Sequence, residues 1–366
     1  MKKLKVIVSG GGTGGHIFPA IAIAKSLEKK VEDIELLFVG AKDRMEMQKV
    51  PDSGYKIEGL WISGFQRSFS SRNLLFPFKL ISSLIKSKKI IRKFQPDLVI
   101  GTGGFASGPL LYAASRKGIP SVIQEQNSYP GITNKLLAKS VQKICVAYDN
   151  MERFFPKEKL IFTGNPIRKE ILDASDKREE GKNFFGLHNG RITVLVIGGS
   201  LGAKTINESI NNNLEEFKKS QLNLIWQTGV SYENQAEESV KNLNLSGIQS
   251  YKFIKEIDLA YAAADIIVSR AGAIAISELC FVGKPVILVP SPNVAEDHQT
   301  QNAQSLVNKN SALMVKDMES RLKLVEEIKS LSENKDLQEE LSRNIKKLAV
   351  KDAADRIADL SLELVK

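Results

Sequence analysis

The chain has 366 residues, 42% of them apolar and 26% charged, and a net charge of +10; this length favours two domains, each burying its own core. Its only cysteines, Cys145 and Cys280, lie in apolar runs, which excludes a disulfide framework or a cysteine-rich zinc cluster. No apolar stretch reaches the roughly 20 residues of a membrane-spanning helix, and the apolar stretch after Met1-Lys2-Lys3 is too short for a signal peptide, so a cytoplasmic protein is expected.

The first apolar run, 4–8, leads into Gly10-Gly11-Gly12-Thr13-Gly14-Gly15-His16. This reads as a buried strand, a tight glycine turn and a helix. Glycines there let backbone N–H groups approach a ligand, and the helix N-terminus favours negative charge. Gly10, Gly12 and Gly15 also match the dinucleotide fingerprint, which raises a nicotinamide-dependent oxidoreductase as an alternative. That fingerprint needs an acid ending the second strand, and the run 34–39 continues Gly40-Ala41-Lys42, with no acid before Asp43. His16, at a helix N-terminus, resists protonation and suits a neutral base.

The segment 70–95 stands apart. Leu74, Leu75, Phe76 and Phe78 surround Pro77, and Lys79, Lys86, Lys89 and Lys93 share one helical stripe opposite Leu80, Leu84 and Ile91. Between Gly59 and Pro96 there are eight basic residues and no acid. Residues 1–165 hold 26 Lys and Arg against 13 Asp and Glu, whereas 166–366 hold 26 against 29. An anionic partner for the first half is expected, with Leu74, Leu75 and Phe76 entering an anionic membrane surface.

The run 97–100 precedes Gly101-Thr102-Gly103-Gly104-Phe105-Ala106-Ser107-Gly108-Pro109, and 121–123 precedes Gln124-Glu125-Gln126-Asn127. In a parallel sheet these loops and the first one emerge at the same carboxyl edge, where such sheets bind ligands. His16, Phe105, Glu125 and Asn127 are thereby placed on one wall. After the run 143–148, Thr163-Gly164-Asn165-Pro166 carries turn chemistry and marks a domain boundary.

The second half repeats the plan. Run 192–197 leads into Gly198-Gly199-Ser200-Leu201-Gly202-Ala203, then come 222–226, 265–268 and 285–289. Continuous apolarity in these runs fits parallel strands covered on both faces. Ser269-Arg270-Ala271-Gly272-Ala273 leaves room for a diphosphate at a helix start, with Glu278 in reach of a ribose diol. His298, Gln299, Gln301 and Asn302 offer hydrogen bonds to a sugar. With three histidines and no clustered carboxylates, no metal site is expected. The fold class expected is α/β, two Rossmann-like doubly wound parallel-sheet domains facing across a cleft. The domains are 1–163 and 164–344, with a helix at about 345–366.

The motifs GGGTGGHIFPA at 10–20, GTGGFASGP at 101–109, EQN at 125–127, GNPIR at 164–168, GGSLGA at 198–203, SRAGAIAISE at 269–278 and HQTQNA at 298–303 follow one another over almost the whole chain. In them the chain resembles the MurG family, UDP-N-acetylglucosamine:undecaprenyl-diphospho-muramoyl-pentapeptide N-acetylglucosaminyltransferases. The resemblance implies a GT-B fold whose last helix crosses back onto the first domain. It implies an inverting, metal-independent transfer of N-acetylglucosamine (GlcNAc) from UDP-GlcNAc to the muramic acid O4 of lipid I, with no cofactor. The product is lipid II for peptidoglycan synthesis, and the work is done at the cytoplasmic face of the plasma (inner) membrane. Carried over, the donor contacts are Thr13, Gly14, Gly15, Asn127, Arg168, Ser200, the main chain at Ile254, Ala273, Ile274, Ala275, Ile276, Ser277, Glu278 and Gln299. Glu278 would hold the ribose and Phe253-Ile254 would face the uracil.

Gln124, Phe105, Ala271 and His298 depart from residues common in that family. An inverting transfer needs one base near the acceptor hydroxyl, His16 first and Glu125 second. Breaking the bond to UDP develops charge that Ser200, the 271–273 turn and Arg168 suit. The partners expected are UDP-GlcNAc, the lipid-linked muramoyl-pentapeptide acceptor and an anionic membrane surface through about 70–95, with no nucleic acid. A glycosyltransferase acting on another lipid or aglycone is the alternative within the same class.

Overall fold

The computed structural model describes residues 3–64, 75–168, 171, 177–199, 202–243, 246–294 and 297–365. They form two compact units, one running to Ile167 and resuming at Asp352, the other spanning Arg168–Lys351.

The first unit holds a seven-stranded sheet with strands β1 (Leu4–Ser9), β2 (Ile34–Ala41), β3 (Ile57–Leu60), β4 (Leu98–Gly101), β5 (Ser121–Glu125), β6 (Lys143–Val146) and β7 (Leu160–Phe162). All pairings are parallel, in the order β3-β2-β1-β4-β5-β6-β7. Successive side chains alternate between faces. Val6 and Val8 pack with Leu98, Ile100, Val122 and Cys145, while Ile7 packs with Val99, Ile123 and Ile144. Both faces are therefore core, which is why the run reads as continuously apolar.

The second unit repeats the scheme with β8 (Thr193–Ile197), β9 (Asn223–Gln227), β10 (Ile248–Tyr251), β11 (Ile266–Ser269), β12 (Val286–Leu288) and β13 (Leu313–Met314), all parallel in the order β10-β9-β8-β11-β12-β13. In each sheet the strand order reverses beside the first strand, between β1 and β4 and between β8 and β11. Ligands of open α/β sheets bind outside the carboxyl ends of strands at such a reversal. The glycine turns after β1 and β4, and those after β8 and β11, lie at these points.

Strands β3, β7, β10 and β13 were absent from the pattern of apolar runs, and all four are sheet edges. Each has one neighbour and is partly exposed, as in Ile248-Gln249-Ser250-Tyr251. A half-covered strand needs no continuous apolar run.

The C-terminal helix Ala353–Leu362 lies on the helix Gly14–Lys30 within the first unit. Ile357 and Ala358 are buried there, Ser26 Oγ donates to Asp355 at 2.5 Å, and Lys30 pairs with Asp359 at 2.8 Å. The preceding helix, Lys335–Lys346, buries Leu341 and Ile345 in the second unit.

The segment expected to meet a membrane folds into the helix Phe76–Phe94, Pro77 standing in its first turn. Leu74 lies outside the described residues, and Phe76 is only partly exposed. Leu75 is exposed (47%), and the exposed apolar surface continues on the helix itself, at Phe78 (66%), Ile81 (56%) and Ile85 (64%), the last three spaced three and four apart. The lysine stripe also divides. Lys79 donates to Ser63 Oγ at 2.9 Å, and Lys86 donates to the Gly59 carbonyl at 2.8 Å and pairs with Glu58 at 3.2 Å. Lys88, Lys89, Arg92 and Lys93 are exposed. The buried face carries Ser83, Ser87, Ile90 and Ile91, with Ser83 Oγ donating to the Trp61 carbonyl at 3.0 Å, and the helix packs on the helix Ser107–Ser115.

Candidate active site

In the first unit β1 ends at Ser9, and Thr13 is the extended residue that opens the helix Gly14–Lys30. Gly14 and Gly15 occupy its first turn, where backbone N–H groups lack helical acceptors. A Cβ on Gly15 would meet only Thr13 Oγ1, at an ordinary 3.6 Å. Packing therefore does not demand this glycine, which costs about 0.5–1 kcal/mol relative to alanine in a helix. Its absence of a side chain leaves the backbone of the first turn bare.

His16 turns back over the loop, its Nδ1 lying 2.9 Å from the Gly11 carbonyl and 3.5 Å from Thr13 Oγ1. A neutral imidazole that donates from Nδ1 carries its lone pair on Nε2. The Nε2 edge lies against Gly103 of the β4 loop, where a Cβ would come within 3.0 Å of Nε2. Thr102 Oγ1 donates to the His16 carbonyl at 2.7 Å, so the two loops are bonded together. Phe105 is exposed, its ring over Gly64.

Glu125, the second expected base, is buried and fully engaged. Its Oε1 accepts from the Asn127 N–H (3.0 Å) and Nδ2 (3.2 Å), and its Oε2 from the Gly131 N–H (3.1 Å) and Asn134 Nδ2 (2.9 Å). This carboxylate organises the loop 125–134. The Asn127 amide, expected at the donor, is one of its partners. Gln124 donates to Asn165 Oδ1 at 2.8 Å, and Asn165 in turn donates to the Gln126 carbonyl at 3.0 Å, a buried polar network under the same loop.

In the second unit the helix Ala273–Val282 begins after Gly272, where a Cβ would meet nothing within 4 Å and φ is −67°. Neither packing nor backbone conformation requires glycine there, and the first-turn N–H groups behind it lack helical acceptors. Ile276 is buried in the core, so only its main chain is available to a ligand; Ala273 is also buried, Ile274, Ala275 and Ser277 are partly exposed, and Ser277 Oγ donates back to the Ala273 carbonyl at 3.0 Å. Glu278 is buried and held by Arg168 in a two-pronged ion pair, Nε to Oε1 at 2.7 Å and Nη2 to Oε2 at 2.8 Å. Tyr261 lies beside it, its phenol pushed up by burial and then by the Glu278 charge. The Ile254 N–H donates to Gln227 Oε1 at 3.0 Å, next to the exposed ring of Phe253. Gln299 Oε1 accepts from the Ser291 N–H at 2.8 Å, ordering the loop after β12. Ser200 lies outside the described residues.

Cys145 and Cys280 are buried, and burial pushes both thiols up to about 12, which leaves neither as a ready nucleophile. Among the described residues no three His, Cys, Asp or Glu side chains group as metal ligands. No helix among them is long and apolar enough to cross a membrane.

The glycosyltransferase family 28 N-terminal domain matches residues 6–146 and its C-terminal domain residues 193–357. The chain is 54% identical over 364 residues to a UDP-N-acetylglucosamine–N-acetylmuramyl-(pentapeptide) pyrophosphoryl-undecaprenol N-acetylglucosamine transferase of Cytophaga hutchinsonii, covering 100% of this chain and 98% of that one. The chain belongs to the MurG family of glycosyltransferases. A MurG-family relative of the same name from Flavobacterium psychrophilum is 53% identical, with 100% and 99% covered. The crystal structure of Acinetobacter baumannii MurG superimposes with a TM-score of 0.79 at 26% identity, over 98% of this chain and 99% of that one. MurG-family membership replaces the nicotinamide alternative. The glycine fingerprint is present, but the carboxylate nearest that turn, Glu46, is buried and bonded to backbone rather than presented to a ribose.

Two residues beside these turns have fastening contacts that no spacing in the sequence shows. Glu46 fastens the first glycine turn, its Oε2 accepting from the Gly12 N–H and its Oε1 from the Ala41 N–H, each at 2.9 Å. Arg270 fastens the second unit's turn: it donates to the carbonyls of Val289 (3.0 Å) and Pro290 (3.2 Å), and pairs with Asp317 at 2.5 Å. Glu46 sits in the ordinary charged stretch Lys42-Asp43-Arg44-Met45-Glu46, and no local pattern marks it.

Proposed function

We propose that this chain transfers N-acetylglucosamine from UDP-GlcNAc to the muramic acid O4 of a lipid-linked muramyl-pentapeptide, with inversion and without a metal ion. The full-length identity of 54% to a transferase of that name carries the reading. In the step proposed, the acceptor hydroxyl attacks the anomeric carbon and its proton passes to His16 Nε2. The bond from that carbon to UDP breaks, and the electron pair leaves on the diphosphate oxygen. The hydrogen bond from His16 Nδ1 to Gly11 supports this assignment because it puts the basic lone pair on Nε2. Glu125, with donors on both oxygens, is assigned to loop support.

Charge developing on the diphosphate is met by Arg168, Ser200 and the N-terminus of the helix Ala273–Val282. Glu278 takes the ribose, Ile254 and Phe253 the uracil, and Gln299 the sugar. Thr13, Gly14, Gly15 and Asn127 supply the donor contacts of the first unit. Transfer is expected to run at the same rate in excess EDTA as with magnesium. Loss of transfer in chelator, restored by magnesium or manganese, would overturn the metal-free assignment.

The helix Phe76–Phe94 is assigned to the cytoplasmic surface of the membrane that carries the acceptor, within cell-wall synthesis. Phe78, Ile81 and Ile85 would enter the interface, and Lys88, Lys89, Arg92 and Lys93 would meet anionic headgroups, each basic residue contributing about 1 kcal/mol. Replacing Phe78, Ile81 and Ile85 together with serine is expected to weaken sedimentation with anionic vesicles by about tenfold or more, with UDP-GlcNAc affinity unchanged. High salt should weaken binding of the parent protein. A triple variant that sediments like the parent would move the membrane face elsewhere.

A further inference from the structure

Glu46 is completely buried, and burying a carboxylate is costly unless hydrogen bonds compensate it, as the N–H groups of Gly12 and Ala41 do here. The fold makes unusual room for it. A Cβ on Gly11 would lie 2.0 Å from Glu46 Oε1, and a Cβ on Gly40 would lie 2.5 Å from its Cγ. Two backbone positions are thus kept without side chains around one carboxylate, so neither tolerates alanine without displacing it.

The hydrogen bonds of this carboxylate lead to His16. Its Oε2 accepts from the N–H of Gly12 at 2.9 Å, and the carbonyl of Gly11 faces His16 Nδ1 at 2.9 Å. These two groups belong to one peptide bond, between Gly11 and Gly12. A negative charge at the N–H end of an amide polarises it and raises electron density on its carbonyl oxygen. Hydrogen bonds in such a chain strengthen one another inside a protein. The carbonyl becomes a better acceptor for Nδ1–H, and better still when the ring carries a positive charge.

We infer that Glu46 is a positioning residue for His16, acting through the Gly11–Gly12 peptide bond. It fixes the Nδ1–H tautomer, sets the ring plane and stabilises the imidazolium formed when Nε2 takes the acceptor's proton. Glu46 acts only as an acceptor, and no proton crosses the amide. The logic is that of a carboxylate orienting a catalytic histidine, with one peptide unit between them. The inference rests on the reading of His16 as the general base.

Glu46→Gln keeps the volume but removes the charge and turns an NH₂ group toward one of the two N–H donors. It is expected to lower kcat about 10- to 100-fold, the range seen when a group orienting a functional histidine is removed, with the KM for UDP-GlcNAc within about twofold. In a His16→Ala background the same change should cost nothing further, because residues acting as a unit are not additive. A multiplicative loss in that background would reduce Glu46 to a loop fastener and overturn the inference. Nitrogen-15 NMR of the parent protein needs no variant to fold: the resting imidazole should be protonated at Nδ1, and an Nε2–H ring would refute the relay. Full turnover by His16→Ala would remove the general-base reading, while the NMR measurement would still test the coupling of Glu46 to the ring.

Discussion

His16→Ala is expected to lower turnover about 10²–10⁴-fold, the contribution of a positioned general base. UDP-GlcNAc binding should change far less, since the ring is placed for the acceptor's proton. The expectation rests on geometry: Nδ1 is engaged by the Gly11 carbonyl, and the Nε2 edge is set against Gly103 in the neighbouring loop. Steady-state kinetics together with donor titration separate the two effects. Glu125→Gln is the paired experiment. Its carboxylate accepts from Asn127, Gly131 and Asn134, so an amide there opposes donor to donor and loosens the loop. If His16→Ala retains near-full turnover while Glu125→Gln loses it with the fold intact, the base is Glu125.

Glu278→Ala is expected to weaken UDP binding by about 10- to 100-fold, as loss of charged hydrogen bonds to a ribose diol should. Calorimetry with UDP alone measures this without the sugar. The companion variant, Arg168→Ala, acts on the same pair from the other side. Glu278 is buried while Arg168 is partly exposed, so removing the guanidinium strands a charge in the interior. A stability loss on the order of 2–3 kcal/mol is expected, visible as a lower thermal midpoint. Glu278→Gln should recover most of that stability without recovering UDP affinity. Unchanged UDP affinity in Glu278→Ala would take Glu278 out of the ribose role.

The sequence by itself determined the elements whose environment is set by near neighbours along the chain. Val6-Ile7-Val8 and Val194-Leu195-Val196 are apolar throughout because both faces of a central parallel strand are covered. The turns after β1, β4, β8 and β11 were legible because a tight strand-to-helix turn near a ligand selects small residues, and the order of motifs carried the family. The tertiary structure alone decided what depends on distant partners. Glu46 reaches Gly12 across 34 residues, and nothing local distinguishes its carboxylate from a solvated one; Glu278 stood in a motif, but its pairing with Arg168 across 110 residues did not show. The lysines of the helix Phe76–Phe94 show the same limit. Spacing put Lys79 and Lys86 on one stripe, but the fold ties both to the chain before the helix, through Ser63 and the Gly59 carbonyl, and leaves Lys88, Lys89, Arg92 and Lys93 exposed. Edge strands such as Ile57–Leu60 belong with them, because one-sided pairing leaves no periodic signature and only the neighbouring strand makes them strands.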